Sequence, residues 1–130
     1  DAPTLPVVVK TSSTFQNGSA EVPVAVPEFS HTVTVVTGAE KWEMVLSVDW
    51  DHSTAMTTKA EVWVDGAIGA GGSECVVVST AGLRLPMGRT WLLEGLAPGD
   101  HTVEVRGTIN TAGTMTWYPT HSQLIYKQIA

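Results

Sequence analysis

The sequence predicts an all-β fold, an antiparallel sandwich or barrel of about eight to ten short strands. Three observations carry the prediction. Residues 101–110 and 41–51 alternate apolar and polar side chains with period two, which places them on opposite faces of a sheet. Turn signals such as Asp65-Gly66 and Pro98-Gly99 recur between these runs. No segment shows a sustained three-four apolar spacing, and β-branched residues are abundant.

The elements follow in chain order. Residues 6–10 (PVVVK) form a short apolar run. Residues 11–20 are polar and turn-rich, with Asn17-Gly18. Val22, Val24 and Val26 alternate, but Pro23 and Pro27 interrupt them, so at most an edge strand fits there. Residues 29–37 alternate through Phe29, His31, Val33 and Val35. The central strand is 41–51, with Trp42, Met44, Leu46, Val48 and Trp50 on one face and Glu43, Ser47, Asp49 and Asp51 on the other. A polar loop, 52–58, leads to strand 59–64, with Ala60, Val62 and Val64 inward. Asp65-Gly66 turns this strand back through Ala67 and Ile68. Residues 69–73 are a glycine-rich loop, and 74–80 are a strand. Two short strands, 83–85 and 90–93, flank Pro86-Met87-Gly88-Arg89. In 101–110, Val103, Val105 and Ile109 share a face with Gly107. Residues 101–110 and 114–118 make a hairpin, and 123–129 close a single domain, 1–130.

Composition narrows the function. Charged residues are 15% of 130, against roughly 25% in typical globular chains. A surface so poor in charge is either covered by Thr, Ser and Gly or buried against something else, which favours an assembled protein over a lone monomer. The net charge is −6 and the seven basic residues are scattered, which argues against nucleic acid as a partner. No run approaches the roughly 20 apolar residues of a membrane-spanning helix. Cys75 is the single cysteine and reads as a small core residue. The opening Asp1-Ala2-Pro3-Thr4 fits either a cleaved leader or a start inside a longer chain, and Pro3 and Pro6 make 1–6 an extended N-terminal arm suited to docking.

Few residues suggest chemistry. Asp49 and Asp51 share a strand face and are the weak candidates for a metal site, but calcium takes six to eight oxygens and no third carboxylate stands near them in sequence. His31, His52, His101 and His121 lack zinc-type spacing. No G-x-S-x-G elbow gives Ser73, Ser79 or Ser122 a nucleophile's context. No catalytic residue and no cofactor is expected. Trp63 falls on a polar strand face, and Trp117-Tyr118 precedes Pro119. These three are the candidates for a subunit contact or a ligand platform.

The order of features carries a resemblance. A Trp-rich strand (KWEMVLSVDWD) precedes a strand ending in Asp-Gly (AEVWVDG). Then come LEGLAPGDHTVEV, a small-residue hairpin at Ala112-Gly113-Thr114 and a closing Leu124-Ile125-Tyr126 strand. Over residues 30–130 this resembles the small jelly-roll domains of tailed-phage virion proteins, which are similar to the tumour-necrosis-factor jelly roll. The resemblance implies an antiparallel jelly-roll sandwich, a non-enzymatic virion protein and a homotrimer. A capsid decoration protein contacting capsid subunits is the first expectation. A tail-fibre or minor tail protein domain that binds host-surface carbohydrate is the alternative.

Overall fold

A computed structural model describes residues 7–10, 14–68 and 74–130, with side chains over 14–68 and 76–130. The expected arm, 1–6, and the glycine-rich loop, 69–73, lie outside the described residues, as does the Cys75 side chain. Among the described residues there are eleven strand segments: β1 (Val7–Lys10), β2 (Phe15–Asn17), β3 (Val24–Val35), β4 (Trp42–His52), β5 (Met56–Val64), β6 (Ala67–Ile68), β7 (Glu74–Ser79), β8 (Leu85–Leu93), β9 (Gly99–Ile109), β10 (Met115–Trp117) and β11 (Gln123–Gln128). A 3-10 turn, Pro119–His121, separates the last two. No helix among the described residues is long and apolar enough to cross a membrane.

The strands form two antiparallel sheets. In the first, β8 pairs with β4, β4 pairs along its other side with β11 and β10 in tandem, and these pair with β1 and β2. In the second, β3 pairs with β9, β9 with β5, and β5 with β7 and β6 in tandem. With the tandem segments merged, eight strands run in the jelly-roll order. The alternating positions of β4 read as expected: Met44 and Leu46 are 0% exposed, and Ser47 and Asp49 face outward. Their partners across the core are Val33 and Val35 of β3, Val103, Val105 and Ile109 of β9, and Ala60 and Val62 of β5. Removing such side chains from water contributes about 1.5–3 kcal/mol each.

Several boundaries differ from the sequence reading, each for a packing reason. Val22–Val26 and 29–37 are not separate runs. One strand, β3, passes through Pro27 with a register shift between Ala25 and Ser30, and Glu28 takes φ 73° at the irregularity. The strand is an edge of its sheet, where a missing N–H is tolerated. Likewise 83–85 and 90–93 are one strand, because β8 is also an edge and Pro86 sits beside Asp49 without breaking the ladder. The polar loop 52–58 shrinks to 53–55. His52 keeps the inward parity of β4, and Met56 and Thr58 extend β5 inward. Phe15–Asn17, inside the turn-rich stretch 11–20, forms a strand paired with β10.

Tandem β10 and β11 explain one buried serine. Where the chain steps off β4, the Tyr118 amide still donates to the Asp49 carbonyl at 2.8 Å. The Asp49 amide then donates to the Ser122 hydroxyl, 3.2 Å away. Ser122, only 1% exposed, therefore replaces a backbone acceptor in the interrupted ladder.

Candidate interaction surfaces

The outer face of the first sheet carries Asp49 and Asp51, two residues apart on β4. The connection 80–84 brings Arg84 over them. Its Nε lies 3.0 and 2.9 Å from the two Asp49 carboxylate oxygens, and its Nη2 is 2.7 Å from Oδ2. That forked contact holds the Asp49 carboxyl below its ordinary range. The Tyr118 hydroxyl donates to Asp51 Oδ2 at 2.7 Å, which raises the phenol above its ordinary value. Arg84 also covers the Tyr118 ring, with its guanidinium carbon 3.8 Å from the centroid. The two candidate metal carboxylates are thus each committed to a side chain of the protein. No group of three or more His, Cys, Asp or Glu placed to hold a metal ion occurs among the described residues.

Trp117 and Tyr118 do not form a joint platform. Trp117 faces the core at 1% exposure, edge-on to Phe15 and Trp50 at 5.4 and 5.8 Å. The inward parity of β10 places it opposite Trp50 and so removes its ring from any partner. The expectation of a surface role for Trp117 is corrected on that ground.

The outer face of the second sheet carries Trp63. Glu104 is its direct neighbour on β9, and Arg106 lies diagonally beside it. Arg106 is bound to Glu104 through Nε at 2.8 Å and lays its guanidinium carbon 4.0 Å from the Trp63 ring centre. Glu61, on the same face, is only 4% exposed and accepts from the Thr108 hydroxyl at 3.1 Å. Beside this polar layer the β6 and β7 edge is aliphatic: Ile68 is 54% exposed, Val76 48% and Val78 76%. Val76 and Val78 alternate outward from β7, next to Lys59 and Thr57 of β5.

One end of the sandwich is clamped by a histidine. Asp65 opens the tight β5–β6 turn with φ 51°, followed by Gly66 at φ 82°. Its carboxylate accepts from the Thr102 amide at 2.9 Å and lies 2.6 Å from His101 Nδ1. His101 Nε2 lies 2.7 Å from the Ala97 carbonyl. Both ring nitrogens face acceptors. The Ala97 carbonyl first, and then Asp65, raise the His101 pKa above its ordinary value. Nearby, the Glu40 carboxylate accepts from the amides of Val36, Thr37 and Gly38, which brings its pKa down to about 2. A shallow cleft of about 410 Å³ opens there between Thr34, Val36, Glu40 and Gln128. Thus His101 is partly covered and serves the turn itself.

No protein-family model and no curated protein matches the sequence. Solved structures do match the fold. VP2 in a subviral particle of infectious bursal disease virus superposes with a TM-score of 0.55 at 16% identity, over 99% of this chain and 34% of that one. Eiger TNF from S. frugiperda gives 0.57 at 14% identity, over 99% and 94%. The CBM36-1 domain of a multidomain xylanase, from the hindgut metagenome of Trinervitermes trinervoides, gives 0.51 at 10% identity, over 94% and 96%. The chain spans about a third of the length of the virus chains it matches. At these identities the likeness is one of fold, a jelly-roll sandwich similar to those of a viral particle protein, a TNF and a carbohydrate-binding module.

Proposed function

We propose that this chain is a non-enzymatic virion structural protein of a tailed phage, a capsid decoration protein that assembles as a trimer through its jelly-roll faces. One observation carries the choice of assembly over ligand capture, namely that no aromatic ring of the chain is presented open. Phe15, Phe29, Trp42, Trp50, Trp91, Trp117 and Tyr126 are buried. The other two, Trp63 and Tyr118, each lie under an arginine. A sugar platform needs a bare ring face, and here the rings are already stacked. The exposed material is aliphatic instead, at Ile68, Val76 and Val78 on one sheet edge. Buried subunit interfaces resemble a core cut in half, which suits such residues.

The likeness to the carbohydrate-binding module supports the alternative, a tail protein domain that binds host-surface carbohydrate, at the level of fold only. Sedimentation at tens of micromolar (an order-of-magnitude choice for a modest interface) separates the readings. A trimer that Val78→Lys converts to a monomer with an unchanged melting temperature supports assembly. A monomer that retains a specific glycan on an array, and loses it in Trp63→Ala, replaces this proposal with the alternative.

A further inference from the structure

We propose that His52 is an acid-sensitive latch, and that protonation releases the end of the sandwich built from connections 53–55, 80–84 and 110–114. His52 is the last residue of β4 and is 0% exposed. Its ring stands edge-on to Trp50, 5.1 Å away at 70°. Neither ring nitrogen meets a hydrogen-bond partner among the described residues. Its backbone neighbours stitch the three connections together. The Gly82 amide donates to the His52 carbonyl at 2.8 Å, and the Ser53 amide donates to the Thr114 carbonyl at 2.9 Å. The Thr114 amide donates to the Ser53 hydroxyl at 2.8 Å, and the Thr54 hydroxyl to the Ala112 carbonyl at 3.2 Å.

No countercharge is built for an imidazolium there. The inward residues at this end are Met115 of β10, opposite His52 in register, Met56 and Thr58 of β5, Ser79 of β7 and Leu85 of β8. The Thr58 hydroxyl is already directed to the Met115 sulfur at 2.9 Å. The charged groups nearby point elsewhere. Asp51 lies on the opposite face of β4 under Tyr118, and Arg84 is bound to Asp49. Lys59 alternates outward from β5, and Glu61 is held by Thr108. An imidazolium has two N–H donors and must reach water to satisfy them. Burial accordingly lowers the His52 pKa below 6.5, with only Asp51 opposing. The open end takes up a proton with the ordinary value, and the closed end takes it up less readily. Closure is therefore at full strength above pH 6.5 and weakens as the pH falls below it.

Hydrogen exchange of the whole chain tests the latch, with rates corrected for the intrinsic effect of pH. Between pH 7.5 and 5.0 the opening constant read at Ser53, Gly82 and Thr114 should rise by up to about 30-fold, the limit for a group titrating near 6.5 only when open. The amide of Thr102, at the far end, should show no such rise. His52→Leu, which keeps the volume and removes the titration, should flatten the profile. If that variant does not fold, the midpoint of the wild-type His52 ring nitrogen titration should lie below 6.5. Wild-type exchange that ignores pH overturns the proposal. So does an equal rise at both ends, a rise retained in His52→Leu, or a ring that titrates near 6.5 without opening.

Discussion

The Arg106 guanidinium lies 4.0 Å from the centre of the Trp63 ring, on the outer face of the sheet containing β5 and β9. Glu104 fixes this arrangement by binding Arg106 from two residues away on the same strand face. Trp63 thereby becomes the floor of a layered surface rather than a bare hydrophobic patch. Its half-buried state follows from a neighbour in the sheet, with no need for a ligand.

Arg106→Ala should lower stability by about 0.5–1 kcal/mol, the range for a partly exposed cation over an aromatic ring. Urea unfolding would read it as a lower midpoint at unchanged slope. An unchanged midpoint would mean that the stacking contributes nothing.

Leu46→Asp should abolish cooperative unfolding, because Leu46 is 0% exposed at the centre of β4. Ser47→Asp, one residue on and facing outward, should stay within about 0.5 kcal/mol of the parent. Circular dichroism melts of both variants test the facing of the strand. Equal melts would contradict it.

Gly107→Ala should destabilise by about 1–3 kcal/mol through overpacking. A Cβ there would run into the Met115 methyl and approach Phe15 Cε2 to 3.2 Å. Shortening Met115 to Val in the same chain should recover part of the loss. A double variant no more stable than Gly107→Ala alone would show that the methionine is not the obstacle.

The His101–Asp65 clamp should stabilise most in mildly acidic solution. The folded His101 pKa lies above 6.5, so its contribution is complete below 6.5 and is lost as the pH rises through the folded value. Asp65 lies below 3.8 when folded, so its share is present above 3.8 and is lost as the pH falls through its folded value. The melting-temperature advantage of the wild type over His101→Asn should therefore be larger at pH 5.5 than at pH 8.5. The opposite order would reverse the assigned sign. Because His52 is common to both proteins, its contrary trend cancels in this difference.

Excess calcium, compared with a chelator, should leave the melting temperature unchanged. A metal bound only to the folded chain would raise it by mass action, and the Asp49 carboxylate is already occupied by Arg84. An upward shift abolished by Asp49→Asn would restore the metal reading.

What the amino-acid order determined was the facing of the long strands. Even positions of 42–50 and odd positions of 103–109 are buried as their alternation required, because a strand's side-chain period is set by local backbone geometry. The Asp65-Gly66 turn was legible for the same reason, since positive φ at both positions is a local demand. Partners remote in sequence decided the rest. Pro27 and Pro86 continue their strands because each lies at a sheet edge, and an edge exists only once the sheets are assembled. His52 lies in the core because β4 continues to Met115 on β10. Trp117 lost its surface role when β10 was set against Trp50, and Trp63 and Tyr118 were covered by arginines 43 and 34 residues away. Periodicity shows which way a side chain points, but what meets it there depends on contacts between distant segments, which a local pattern does not encode.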